Sequence, residues 1–105
     1  LPVIRLTVSN ISAVSCTGDF GPRNQEVVAF DGSKRIWGSN DCFPSDRSDL
    51  QKLRPGASGS YSMTWSGKTS RPRCAGKRTP VGKGSYRLIA SIDGAEPRAF
   101  TVRVR

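Results

Sequence analysis

Apolar and polar residues alternate along most of this chain, which is the pattern of half-buried β-strands. The alternation is clearest in three runs, whose apolar positions are Ile4, Leu6 and Val8, then Tyr61, Met63 and Trp65, then Tyr86, Leu88, Ala90 and Ile92. Further strands are predicted over 13–20, 26–30 and 34–37, and a last strand carries Phe100, Val102 and Val104. No stretch has the 3.6-residue period of a long amphipathic helix.

Turn residues separate these runs. Asp31-Gly32 and Asp93-Gly94 predict tight turns, since glycine tolerates the positive φ that hairpins need, and Pro55-Gly56 predicts another. Between the strand ending at Trp37 and that turn, Ser, Asn, Asp and Pro dominate. This segment is predicted to be a long connection with one helical turn over 48–53.

About seven short strands in 105 residues indicate one domain over residues 1–105. The number and spacing of strands are typical of an all-β, immunoglobulin-like antiparallel sandwich. A small barrel is the alternative. The two tryptophans and two tyrosines share the parity of the aliphatic core positions, so they are predicted to pack inside.

One segment departs from this pattern. Residues 66–84, here called the basic loop, join two predicted strands through a Gly- and Pro-containing stretch. Between Leu50 and Ile92 there are nine Lys or Arg and no Asp or Glu. The loop's own cations are Lys68, Arg71, Arg73, Lys77, Arg78 and Lys83.

The formal net charge of +9 agrees with this local excess. Such a field attracts polyanions, and arginine suits phosphate and carboxylate groups. The predicted partner is therefore an anionic cell-envelope polymer, a lipid headgroup or an acidic protein. Specific nucleic-acid recognition is not expected, because the loop has no aromatic residue for stacking bases. The charges could also serve only to keep the loop solvated.

Three cysteines fit neither a full disulfide framework nor a zinc site, and histidine is absent. Cys42 and Cys74 lie in predicted loops and are expected to form a disulfide. Cys16 shares the parity of Val14 on a predicted strand, which predicts a buried thiol. A Cys16–Cys74 pair and three free thiols remain as alternatives.

Catalysis is not expected, since the chain lacks histidine, the usual general base. No cofactor or metal is predicted either. Asp41, Asp46 and Asp49 could offer oxygen ligands, but Arg47 lies among them and their spacing matches no calcium loop. A solvated connection is the better interpretation.

Several landmarks occur in a suggestive order: Asn10 after the first strand, Trp37 ending a central strand, Leu53-Arg54-Pro55-Gly56, Trp65, and Gly84-Ser85-Tyr86. The chain thereby resembles uncharacterised actinobacterial exported or membrane-anchored domains and, more distantly, the bacterial intracellular proteinase inhibitor family. The resemblance implies an immunoglobulin-like sandwich in the envelope of a high-GC Gram-positive cell. Inhibitory activity is not carried over, because no inhibitory loop can be matched residue by residue.

The sequence thus predicts a non-enzymatic, extracytoplasmic binding or scaffolding module that is a monomeric domain. It has no apolar run of about 18 residues that could span a bilayer. An anchor to the bacterial cytoplasmic membrane is expected in a segment outside these residues. A protease inhibitor acting through an exposed loop and a structural spacer are the alternative functions.

Overall fold

The computed structural model describes residues 3–92 and 96–105. These residues form eight strands and one short helix, in the order β1 (Val3–Ser9), β2 (Cys16–Asp19), β3 (Gln25–Asp31), β4 (Lys34–Gly38), α1 (Ser39–Cys42), β5 (Leu50–Leu53), β6 (Ser58–Thr64), β7 (Gly84–Ile92) and β8 (Arg98–Val104). Two short 3-10 turns, Pro22–Asn24 and Pro72–Cys74, interrupt the connections.

The strands form three antiparallel sheets. The largest has the order β4-β3-β7-β8, while β1 pairs with β6 and β2 pairs with β5. The large sheet and the β1–β6 pair contribute to one apolar core between them. The predicted all-β antiparallel sandwich is confirmed, with eight strands in the described residues rather than about seven.

The core consists of apolar residues from the alternating runs of the sequence, namely Ile4, Val27, Ala29, Ile36, Trp37, Trp65, Tyr86, Leu88 and Ala90. Its centre is aromatic. The rings of Trp37 and Trp65 stack at 5.3 Å between centroids, and Tyr86 meets Trp65 edge-on at 5.8 Å. Both are favourable arrangements for aromatic pairs. A second cluster of Phe20, Leu53 and Ile92 fills the region beside β2 and β5.

The helical turn predicted over 48–53 is wrong. That segment contains β5, which pairs with β2 from Leu50 opposite Asp19 to Leu53 opposite Cys16. Burial of Leu53 in the second cluster, together with strand pairing, outweighs the weak local preference for a helix. The helical turn of this connection lies earlier, at α1.

The predicted burial of Cys16 is also wrong. Its thiol is free and exposed, and Val14 is 69% exposed. Cys16 begins β2, whose only strand partner in the described residues is β5. Sharing the parity of Val14 therefore does not bury Cys16, because no second layer in the part of the chain that the structure describes covers it. Burial begins only at Phe20, beyond the end of the strand.

Two of the three predicted turns can be compared with the structure. Gly32 adopts a φ of +60° in the β3–β4 hairpin, and Gly56 adopts +82° in the turn that closes with Ala57 donating to the Arg54 carbonyl. Both are left-handed conformations that glycine adopts without strain. The third turn, Asp93-Gly94, lies outside the described residues.

Candidate functional site

Aromatic residues of the core anchor both ends of the basic loop. Trp65 precedes the loop and donates from its indole Nε1 to the Lys68 carbonyl at 3.1 Å. Tyr86 follows the loop and donates from its hydroxyl to the Gly82 carbonyl at 2.6 Å. Because both rings are buried in the sandwich, they hold the ends of the loop at positions set by the core.

Between these anchors the loop folds back on itself. Val81 donates its backbone N–H to Gly67 and Thr69 donates to Thr79, each at 2.8 Å, and Lys68 bridges to Pro80. The returning chain therefore runs beside the outgoing one. The turn between them, residues 71–78, is here called the tip.

Ser70 fastens the outgoing chain to the edge of β4. Its backbone N–H donates to the Ile36 carbonyl at 2.9 Å, and its hydroxyl accepts from the Gly38 N–H at 3.1 Å. The same hydroxyl donates to Asp41 Oδ2 at 2.7 Å. Ser70 is buried, so these contacts are shielded from water.

An ion pair lies beneath this contact. Arg35 donates from both terminal nitrogens to the carboxylate of Asp41, at 2.9 and 3.0 Å. A side chain on Gly38 would collide with the Arg35 guanidinium and would displace it from its position beside Asp41. This bidentate geometry is the strongest form of the arginine–carboxylate pair.

The pair stays charged. Burial acts to raise the pKa of Asp41, but hydrogen bonds from Arg35 and Ser70 and the guanidinium charge outweigh it, so the pKa lies below its usual range. The hydrogen bond from Arg35 to Asp41 in turn raises the pKa of the guanidinium. The negative charge of Asp41 is therefore compensated by Arg35 and Ser70 within the protein.

A disulfide joins the tip to α1. Cys42 and Cys74 are bonded, with their Cα atoms 4.5 Å apart. The predicted pairing is confirmed, and the alternatives of a Cys16–Cys74 bond or three free thiols are excluded. A disulfide is typical of proteins in oxidising, extracellular environments.

The tip itself is a tight turn. Cys74 donates its N–H to the Arg71 carbonyl at 2.9 Å, while Arg73 and Cys74 adopt φ values of +62° and +56°. Left-handed conformations are unfavourable for residues with a Cβ. The disulfide holds the chain in this turn, on which the side chains of Arg71 and Arg73 are exposed.

The six predicted basic residues fall into three groups. Arg71, Arg73 and Lys77 are exposed on the tip. Lys83 is exposed at the end of the loop, in a shallow recess with Arg103 and Arg105. The remaining two, Lys68 and Arg78, line a cleft. Among the described residues, none of the six forms an ion pair.

Arg78 differs from the others because it also supports the loop. It is half-buried, its Nε donates to the Thr69 carbonyl at 3.1 Å, and its guanidinium lies 5.9 Å from the centre of the Phe43 ring. Such a cation–π contact restrains the side chain. Sequence reasoning missed Phe43, which is 75% exposed and comes from the connection after α1.

The cleft lies between β6 and α1 and has a volume of about 430 Å³. Besides Lys68 and Arg78, it is lined by hydroxyl, amide and apolar side chains, including Ser62, Thr64, Ser66, Ser39, Ser45, Asn40, Trp37, Phe43 and Met63. No carboxylate lines it. The polar face of β6 can be predicted from the alternation in the sequence, but the segments that lie opposite it are known only from the folded structure.

The three aspartates of the long connection do not act together. Asp41 binds Arg35 and Ser70, whereas Asp49 accepts from the hydroxyl of Tyr61 at 2.9 Å and from the Gln51 amide. Within residues 3–92 and 96–105 there is no group of three His, Cys, Asp or Glu side chains arranged to hold a metal ion.

In the part of the chain that the structure describes, no helix has the length and apolar character to cross a membrane. In comparisons with protein-family models, curated proteins and solved structures, the chain has no significant match to any of them.

Proposed function

We propose that this domain is a non-enzymatic, extracytoplasmic binding or scaffolding module whose basic loop engages an anionic partner. The observation that carries the proposal is the tip, where Arg71, Arg73 and Lys77 are exposed on a turn that the Cys42–Cys74 disulfide ties to α1. A cationic cluster that is ordered before binding loses little conformational freedom when a ligand arrives.

The surrounding charge supports the same function. No Asp or Glu occurs between Leu50 and Ile92, and the nearby Asp41 is neutralised by Arg35. The tip cations are therefore available to an external anion instead of an internal one. The partner is an anionic envelope polymer, a lipid headgroup or an acidic protein, and the domain acts outside the cytoplasmic membrane, tethered by a segment outside these residues.

A protease inhibitor is less well supported. A peptide segment that binds to a protease as a substrate is extended and pairs with the edge of a β-sheet in the protease. The tip instead turns back within three residues, with Arg73 and Cys74 in left-handed conformations. The basic loop thus presents charge on a turn, which suits an anion better than a protease cleft.

The test is a charge reversal with a matched control. The tip variant Arg71→Glu/Arg73→Glu/Lys77→Glu is compared with Lys52→Glu/Arg54→Glu/Arg98→Glu, which changes the net charge equally at exposed positions outside the loop. Arg78 is left intact because of its contacts with Thr69 and Phe43. Cosedimentation with isolated envelope, anionic vesicles and neutral vesicles at two salt concentrations reports binding.

We expect the wild type and the control variant to bind an anionic fraction, more weakly at high salt. The tip variant should lose at least about tenfold in affinity with little change in melting temperature, since surface substitutions rarely alter stability by more than about 0.5 kcal/mol. Equal losses of affinity in both variants would show that binding depends on net charge and not on the tip. Unchanged binding by the tip variant would refute the proposal. Absence of wild-type binding to every fraction would favour a structural spacer.

A further inference from the structure

We infer that the cleft between β6 and α1 binds one phosphorylated polyol or sugar unit of the anionic partner. The inference rests on the proposed function and names the chemistry of the ligand. Its basis is the combination of two cations, polar groups with spare hydrogen-bonding capacity and apolar walls in one concave site. Small-molecule sites commonly combine a few convergent polar groups with an apolar body in this way.

The charge inside the cleft is entirely positive. Lys68 and Arg78 line it, and all its other lining side chains are uncharged. Asp41 is a neighbour of two lining residues along the chain, yet its carboxylate points to Arg35 and Ser70. A concave surface with charge of one sign concentrates ions of the opposite sign.

The backbone that carries each cation is held in place before a ligand arrives, and Arg78 is also fixed through its side chain, whereas the Lys68 side chain is exposed. The backbone of Lys68 is fixed by the hydrogen bond from Trp65, and its ammonium offers three donors. Arg78 uses Nε for the Thr69 carbonyl and packs over Phe43. Its two terminal nitrogens are left for a ligand. Together these groups can serve more oxygens than a carboxylate has, which favours phosphate.

The uncharged polar groups suit an organic body with hydroxyls. Ser39 and Ser45 accept backbone hydrogen bonds through their hydroxyl oxygens, so each keeps its O–H to donate. Asn40 donates its amide to the Gln25 carbonyl, which leaves Oδ1 as an acceptor. An acceptor beside these donors suits a ligand with several hydroxyl groups, such as a polyol or sugar.

The size of the cleft agrees with this assignment. Its volume of about 430 Å³ falls within the range of small-molecule sites, roughly 300–1,000 Å³, and is much larger than a phosphate group. Trp37, Phe43 and Met63 supply apolar surface for the carbon skeleton. The cations would therefore bind the phosphate while the rest of the cleft binds the unit that carries it.

The test is a titration of the intact chain with glycerol 3-phosphate, monitored by NMR shifts of the backbone amides and the Trp37 indole. Glycerol, inorganic phosphate and glucuronate serve as comparison ligands. We expect saturable shifts that map to residues around Lys68 and Asn40 with glycerol 3-phosphate, weaker ones with phosphate and glucuronate, and none with glycerol. Shifts confined to the tip, or equal affinity for glucuronate, would overturn the inference.

Two variants with matched controls locate the site. Lys68→Gln should weaken binding of glycerol 3-phosphate by at least about tenfold, the cost of one charge-assisted hydrogen bond, whereas Lys77→Gln on the tip should change it less than about twofold. Thr64→Glu places a carboxylate at the cleft and should abolish binding. Ser60→Glu lies on the same face of β6 outside the cleft and should not. Equal effects within either pair would refute the site.

The same variants separate this inference from the proposed function. If the wild type binds envelope polymer and both Lys68→Gln and Thr64→Glu bind it equally well, the cleft assignment fails while the binding function stands. If no envelope fraction is bound but glycerol 3-phosphate saturates the cleft, the function fails and the site stands. A glycerol-phosphate oligomer and phosphatidylglycerol vesicles, tested in parallel, distinguish a polymer source of the unit from a lipid headgroup.

Discussion

The sandwich core and the basic loop are held together by different forces. The core is apolar and continuous, with Trp65, Leu88 and Val27 fully buried between paired strands. Within the loop, residues 66–84, only Ser70 is buried. The loop is instead fixed at separate points, namely the Trp65 and Tyr86 hydrogen bonds, the Ser70 contacts and the disulfide.

Because of this difference, the residues that stabilise the domain are largely not the residues that give the loop its charge. Burial in the core contributes roughly in proportion to apolar area, so nearly every core side chain matters for stability. The loop depends on polar contacts, on the packing of Val81 against the core and on one covalent bond, and within the described residues Arg78 alone of its six cations contributes a side-chain hydrogen bond. The surface of the loop can therefore change its charge without changing the fold.

Truncation of the core should have the largest effect. Trp65→Ala removes the ring between Trp37 and Tyr86 and also the hydrogen bond to the loop. We expect the free energy of unfolding to fall by about 3–5 kcal/mol. Urea denaturation measures the loss, and the exposed neighbour variant Thr64→Ala should stay within about 0.5 kcal/mol of the wild type. A similar loss for both variants would contradict the central place of Trp65.

Removal of the disulfide should have the next largest effect, concentrated in the loop. Cys42 and Cys74 are 32 positions apart, and the chain-entropy model gives about 3–4 kcal/mol for a closed loop of this length. The variant Cys42→Ala/Cys74→Ala should lose this stability, and its loop amides should exchange faster than those of β7. Cys16→Ala, at an exposed free thiol, is the control. If the β7 amides lose protection first, the two regions are not independent.

The ion pair beneath the loop should have a smaller effect. Asp41→Asn leaves the Arg35 guanidinium without its carboxylate, but the Arg35 side chain is 32% exposed and water screens part of the loss. We expect a decrease of about 1–3 kcal/mol in the free energy of unfolding. Asp46→Asn, at an exposed carboxylate in the same connection, should change it by less than about 0.5 kcal/mol. Equal values for the two variants would show that the pair contributes nothing.

The same pair predicts a dependence on pH. The pKa of Asp41 is lowered in the folded protein, so its stabilising contribution is fully present above about pH 5 and is lost as the pH falls through the folded pKa. Asp19 acts in the same direction, because the Asp49 N–H donates to its carboxylate and lowers its pKa. Urea titrations from pH 6 to pH 2 should therefore show a steeper decline for the wild type than for Asp41→Asn. Parallel curves would contradict this role of Asp41.

The smallest effect should have the opposite sign. Arg73 has a φ of +62°, which costs a residue with a Cβ about 1–2 kcal/mol, whereas glycine adopts it freely. Arg73→Gly should therefore stabilise the domain by up to about 1 kcal/mol after the greater flexibility of the unfolded chain is included. Arg71→Gly, at a φ of −129°, should be neutral or destabilising. Thermal unfolding of both variants checks the prediction.

Much of the sandwich could be predicted because strand periodicity is local. The alternating apolar residues of β1, β6 and β7 form the inner faces of the sheets, as predicted. The failures occurred where periodicity is short or absent. Over 50–53 pairing with β2 decided the conformation. At Cys16 the parity with Val14 predicted burial, but no layer among the described residues covers that part of β2.

The candidate site could be predicted only in part. The cations of the loop and the Cys42–Cys74 bond follow from composition and from the placement of cysteines in loops. The support of Arg78 by Phe43, the neutralisation of Asp41 by Arg35 and Ser70, and the cleft itself each join segments that are distant in the chain. Side-chain contacts of this kind have no local signature in a single sequence.

The sequence by itself therefore determined the class of fold and the excess of positive charge in the basic loop, because these depend on local patterns and on residue type. It favoured the Cys42–Cys74 pair, which the folded structure selected over the alternatives. The tertiary structure alone decided which cations are free. It leaves Arg71, Arg73 and Lys77 exposed on the tip, and it places Lys68 and Arg78 at a cleft without carboxylates. The physical reason is that the field around a cation depends on the distances to other charged groups, and only the folded chain sets those distances.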